Sequence, residues 1–249
     1  MTKPLTYTLF NFDDHGDTKL NKLHTNLVKP PFRWVFLGST MCGKTTYIHN
    51  VIFKWYIDYF DRVYIYCGSD DDIDNYKKLA KKYKMSKRVW ISKEVDLEEL
   101  EELYDELEEK NKKKPIRSLV VFDDQAFNNV CSLAKKKNIV DKILMAGRHI
   151  NMSLIMSSQQ YTALNKNIRS INASAITVFG CNDDELELIS KEHSNHLTQK
   201  ACYELMKKQT KKKYSNITID RNRDIGDKFR DSFLNKIGGV ESDSETDDE

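Results

Sequence analysis

The chain has 249 residues, 31 % of them charged and 39 % hydrophobic, which is enough apolar side chain for one well-filled core under a heavily solvated surface. No apolar run approaches the roughly 20 residues that a bilayer-spanning helix needs, and Met1-Thr2-Lys3-Pro4 lacks the apolar core of a secretory signal. A net charge of +2 excludes neither a polyanion partner nor an ordinary solvated surface, and the five scattered cysteines, with no CxxC pair, read as free thiols in a reducing compartment.

Residues 1–31 show no long period and end at Pro30-Pro31; they read as an N-terminal arm with one short strand at 6–10. A first core strand is expected over 33–38. Gly38-Ser39-Thr40-Met41-Cys42-Gly43-Lys44-Thr45 follows it, and Thr46 begins a helical stretch expected to run from 44 to about 60. Strand, glycine-bounded octet and helix in that order form a phosphate-binding P-loop. The two glycines let the backbone curl its N–H groups inward, and the helix N-terminus adds partial positive charge. Lys44 is placed to reach the β- and γ-phosphates, and the Thr45 hydroxyl to ligate Mg²⁺.

Further along, 62–67 is β-branched and aromatic, a second strand closed by Gly68. Ile73, Tyr76, Leu79, Ala80 and Tyr83 share a helical face, and a short strand is expected at 88–91. Leu97, Leu100, Leu103, Tyr104 and Leu107 form a narrow apolar stripe on a strongly acidic surface helix, ended by 110–114 and Pro115. Residues 118–122 are uninterruptedly apolar after Ser118, as a central parallel strand buried on both faces requires. Helices at 140–147, 185–191 and 198–208 and strands at 152–157, 175–179 and 216–219 complete the pattern. Such alternation predicts an α/β fold, a mostly parallel central sheet with helices on both faces, over 32–238. The stretch 239–249 carries six acids and no base and reads as a disordered acidic tail; it leaves 32 acids against 40 bases in the body, a formal +8.

A P-loop needs a second acid at the tip of a buried strand, and Val121-Phe122-Asp123-Asp124 supplies one. Asp123 is assigned to the Mg²⁺ shell, and Asp124 to orienting or deprotonating an attacking water. GTPases carry an Asn-Lys-x-Asp box, whereas Asn165-Lys166-Asn167 continues with Ile168; neither a Leu-Ser-Gly-Gly-Gln segment nor an arginine-rich lid is present.

Gly147-Arg148-His149 precedes a buried strand that ends in Gln159-Gln160-Tyr161. Together with Pro31-Phe32, the Gly-Lys-Thr-Thr of 43–46, Asp123-Asp124 and Ile168-Arg169-x-x-Asn172, this resembles the FtsK–HerA group of DNA-pumping ATPases. Within that group, 31–180 looks most like the poxvirus-type genome-packaging ATPases of large DNA viruses and virophages. The resemblance implies a RecA-like (ASCE) P-loop NTPase that binds ATP and Mg²⁺ through 38–46. It also implies a ring of five or six copies that drives double-stranded DNA into a preformed capsid, with a capsid or portal-type virion protein as partner. Residence in the host cytoplasm or the virion follows from the same likeness. Gln159 would sense the γ-phosphate; Arg148, or alternatively Arg169, would be the finger reaching a neighbour's ATP. The wider superfamily often has Glu where this chain has Asp124, one methylene shorter, so another group is a candidate for positioning the water. A helicase or repair ATPase of the same superfamily, and a nucleotide-gated virion scaffold, stay open.

Lys135-Lys136-Lys137, and Lys207-Lys208 with Lys211-Lys212-Lys213, are candidates for tracking phosphates or for solvated helix ends. His193-x-x-His196 with Cys202 lacks a fourth ligand and is expected not to bind zinc. Cys42, in the field of the P-loop, is either a thiol of lowered pKa or a small residue at a permissive position.

Overall fold

The computed structural model describes residues 23–124, 139–164 and 166–237. The expected strand at 6–10, Lys135-Lys136-Lys137, Cys131 and the acidic tail lie outside the described residues.

Among the described residues, eight strands form one sheet: β1 (Arg33–Leu37), β2 (Arg62–Cys67), β3 (Val89–Ser92), β4 (Ser118–Asp123), β5 (Met152–Ser158), β6 (Ala175–Val178), β7 (Ile217–Asp220) and β8 (Phe229–Arg230). Their order is β3-β2-β4-β5-β1-β6-β7-β8; the first six run parallel, β7 pairs antiparallel with β6, and β8 antiparallel with β7. Among the described residues, six α-helices accompany them: α1 (Lys44–Asn50), α2 (Asp70–Lys82), α3 (Leu97–Lys113), α4 (Ile139–Ala146), α5 (Asp183–His193) and α6 (Gln199–Thr210).

The alternation of side chains along each strand divides the core into two layers. Trp34, Phe36, Val63, Leu119 and Ile155 pack with Ile48, Phe53 and Tyr76 of the α1–α2 side. Val35, Leu37, Val120, Phe122 and Leu154 pack with Leu100, Leu107, Ile143, Leu186 and Met206 of α3 to α6. Helices therefore cover both faces, as the alternating pattern predicted, and β4 and β5 are buried at every residue.

Side chains start four of these helices. Ser69, Asp96, Asn182 and Thr198 each accept a backbone N–H from the first turn of the helix they precede.

The helix after the P-loop is shorter than the sequence pattern suggests. It widens into a π turn at Val51–Trp55 and ends there rather than near residue 60. The Tyr59 amide closes a tight turn on the Tyr56 carbonyl, and the Tyr56 hydroxyl donates to the Val28 carbonyl at 2.5 Å. Those bonds let Trp55, Tyr56, Tyr59 and Phe60 all bury while the chain turns back toward β2. Residues 23–31, read as part of the arm, pack on this aromatic layer through Leu27 and Val28. Strand β8 has only two residues and so no period to detect; it pairs with Thr218 and Ile219 around a buried Arg230.

Candidate functional site

The site forms where three adjacent parallel strands, β4, β5 and β1, release their chains at the C-terminal edge of the sheet. The Gly38 amide donates to the Ser158 carbonyl at 3.3 Å, and the Ser39 amide to the Gly180 carbonyl at 3.2 Å, so the P-loop is tied to both of its sheet neighbours. A Cβ at Gly38 would stand 2.7 Å from both the Cys42 Sγ and the Phe179 Cβ; Gly43 has φ 104°, which side-chain-bearing residues rarely adopt. Steric crowding fixes the first glycine and backbone conformation the second.

Lys44 is buried, its ammonium donating to the carbonyls of Gly38 at 2.8 Å and Ser39 at 3.1 Å. On the next residue, the Thr45 hydroxyl faces the Asp123 Oδ1 at 3.5 Å. Asp123 is buried and accepts from the Ser157 hydroxyl at 2.7 Å and from the Tyr76 hydroxyl at 2.8 Å. Burial raises the Asp123 pKa, and the two hydroxyl bonds only partly oppose that.

Asp124 adopts φ 56° and donates its amide to the Ser157 Oγ at 2.7 Å. Its carboxylate accepts from the Gln159 Nε2 at 3.2 and 3.0 Å, and the Gln159 Oε1 accepts from the Thr40 hydroxyl at 3.0 Å. The P-loop, the amide after β5 and the acid after β4 thus form one hydrogen-bonded chain. Beside it, Ser39, Thr40, Gln159, Asp184 and Glu185 line part of a groove of about 520 Å³.

Met41 (φ 61°) and Thr46 are exposed at the loop tip and on the first turn of α1. Burial pushes the Cys42 thiol up, outweighing the nearby Lys44 ammonium, so the lowered thiol pKa entertained from sequence does not occur. Arg148 is exposed in the 3₁₀ turn Gly147–Ile150, just before β5 and near Arg33. The length of β5 puts it roughly 20 Å from Gln159, on the far edge of the sheet. Arg169 lies on a π turn (Asn167–Asn172), its guanidinium 4.7 Å above the Tyr161 ring and 3.3 Å from the Glu192 carboxylate. The Tyr161 hydroxyl donates to that carboxylate at 2.6 Å and meets the His193 Nε2 at 2.8 Å. Arg148 therefore lies away from Asp123 and Asp124, whereas Arg169 is held against Tyr161 and Glu192.

Sequence reasoning missed the roles of Ser157 and Tyr76. Ser157 was legible only as a hydroxyl inside an otherwise buried strand, and Tyr76 only as one residue of a helical stripe.

The profile of the family described as Poxvirus A32 protein matches residues 17–229. No curated protein matches the chain. Among solved structures, the genome packaging NTPase B204 from Sulfolobus turreted icosahedral virus 2, in complex with AMP, is similar with a TM-score of 0.59 and 20 % identity, over 81 % of this chain and 96 % of that one. The DNA-packaging ATPase B204 from Sulfolobus Turreted Icosahedral Virus gives 0.58 and 22 %, over 78 % and 94 %. ATPases 2 and 3 of EssC from Geobacillus thermodenitrificans give 0.50 and 13 %, over 64 % and 34 %. At such identities these structures attest the shared P-loop ATPase fold.

Proposed function

Because the chain belongs to the Poxvirus A32 protein family, we propose that it is an ATP-driven translocase of double-stranded DNA that packages a viral genome into a preformed capsid. The observation that carries this reading is the chain Thr40–Gln159–Asp124 beside the pair Thr45–Asp123. It links phosphate grip, cation site and water-activating acid in one hydrogen-bonded unit.

In this reading Lys44 exchanges its two loop carbonyls for β- and γ-phosphate oxygens as the triphosphate enters. Thr45 and Asp123 present hard oxygens side by side. Asp123 accepts only from hydroxyls among the described residues, so the pair fits a Mg²⁺ that retains several waters. Bound there, Mg²⁺ would supply charge neutralisation for the phosphates. Ser157, donating to Asp123 and accepting from the Asp124 amide, fixes the angle between the two acids. Asp124 then orients the attacking water, and Gln159 exchanges its bond to Asp124 for one to the terminal phosphate. Arg148, exposed and remote from its own site, is the candidate finger toward a neighbouring subunit in a ring of five or six copies. Arg169, held by Tyr161 and Glu192, is the weaker candidate for that role. A capsid or portal-type protein would be the partner, in the infected cytoplasm or the virion.

ATP turnover measured against protein concentration, with and without long duplex DNA, tests the proposal. Turnover should rise cooperatively with concentration, be stimulated by duplex without strand separation, and vanish in Lys44→Ala. Strand separation would mark a helicase instead. Turnover indifferent to both concentration and duplex would leave a scaffold that only binds nucleotide.

A further inference from the structure

From the loop between α6 and β7 we infer that Tyr214 is the platform on which the base of the bound nucleotide stacks. The inference rests on the phosphate site proposed above and extends it to the other end of the ligand. Strand β7 runs antiparallel to β6, with Ile217 opposite Val178, so the loop preceding it lies on the sheet edge that carries the P-loop. There the Tyr214 ring reaches the P-loop itself: a Cβ on Gly43 would be 3.3 Å from Tyr214 Cδ1. The ring therefore flanks the residue immediately before Lys44.

Neither core packing nor turn chemistry explains a tyrosine at this position. Its exposure is 58 %, so it adds little to the core. Its φ of 68° belongs to the left-handed region, where glycine or asparagine would be the unstrained choice. Of the five large hydrophobic side chains exposed among the described residues, Tyr214 and Met41 sit at the P-loop, so two of the five concentrate at one small mouth. The Lys213 ammonium stands 4.9 Å from the Tyr214 ring centroid and adds positive charge beside the path of the phosphates. An exposed aromatic ring beside a phosphate cradle is what a nucleobase needs, since every base offers a π face.

Equilibrium binding of ATP and of inorganic tripolyphosphate, both with Mg²⁺, to the full chain separates the possibilities. In Tyr214→Ala the affinity for ATP should fall about 5- to 140-fold, the range for loss of one base–aromatic stack. Tripolyphosphate, which has no base, should bind as before, and Tyr214→Phe should bind ATP within about twofold of the parent. Unchanged ATP affinity in Tyr214→Ala overturns the inference. Equal losses for both ligands also overturn it, because Tyr214 would then only brace the P-loop, and so does a loss in Tyr214→Phe matching that in Tyr214→Ala. Should Lys44→Ala weaken neither ligand, the phosphate site itself is misplaced, an outcome separate from any result at Tyr214.

Discussion

Lys44 and His193 show how differently two buried polar side chains are satisfied. Lys44 donates to two carbonyls of its own loop, bonds that phosphate oxygens can replace one for one. His193 is held as a neutral ring against the Tyr161 hydroxyl, and burial pulls its pKa down to about 4. A folded pKa below the unfolded value of about 6.5 means that the unfolded chain binds more protons between those two values. The stability this contributes is complete above pH 6.5 and is lost as pH falls toward 4. Moving from pH 7 to pH 5 should therefore cost about 2 kcal/mol through this residue. Denaturant midpoints at the two pH values check it: the drop should be clearly smaller in His193→Gln than in the parent. The spacing of His193 and His196 suggested a metal only weakly, and the structure shows Tyr161 in contact with the first of them. Ser157 makes the opposite point. A serine in a buried strand is unremarkable in a sequence, yet here it aligns Asp123 with Asp124 across 34 residues of chain.

At the scale of elements, local signals and tertiary demands can be told apart helix by helix. Helix α3 follows its sequence, with Asp96 accepting the Glu98 and Glu99 amides at 2.8 and 3.3 Å and lysines in the last turn. Asp96→Ala should lower stability by about 1 kcal/mol, a fall of roughly 2–4 °C in the melting midpoint for a chain of this size, with ATP turnover unchanged. Thermal unfolding followed by circular dichroism reads the first quantity and a steady-state assay the second. In α1, by contrast, the aromatic run that continues the apolar pattern past Trp55 does not continue the helix. The reason lies in Val28, a distant residue that fixes Tyr56, and no local propensity encodes that bond. The π turn carrying Arg169 was likewise illegible, because its geometry goes with packing on α4 rather than with a period of its own.

For the whole molecule, the sheet order sets where Arg148 lies. Placing β5 between β4 and β1 brings Gln159 to the paired acids and, by the same stroke, sends Arg148 to the far edge. Arg148→Ala should then leave nucleotide affinity as it is while lowering turnover of the assembled protein by about 10³-fold or more. Single-turnover hydrolysis above the assembly concentration, beside an equilibrium binding curve, reads both; undiminished turnover would remove Arg148 as the finger.

The sequence by itself determined the parts whose chemistry is contiguous: the glycine-bounded P-loop, the acid pair ending an apolar strand, and the two-layered α/β plan written in alternating periods. Each of these is set by the conformational freedom or solvation of neighbouring residues, so a short window carries it. Only the tertiary structure decided which strand lies between β1 and β4, that Ser157 and Tyr76 hold Asp123, that Arg169 is held by Tyr161 and Glu192, and that Tyr214 lies against Gly43. Those contacts join residues far apart in the chain. Their energies depend on distance in space, which residue order alone does not fix.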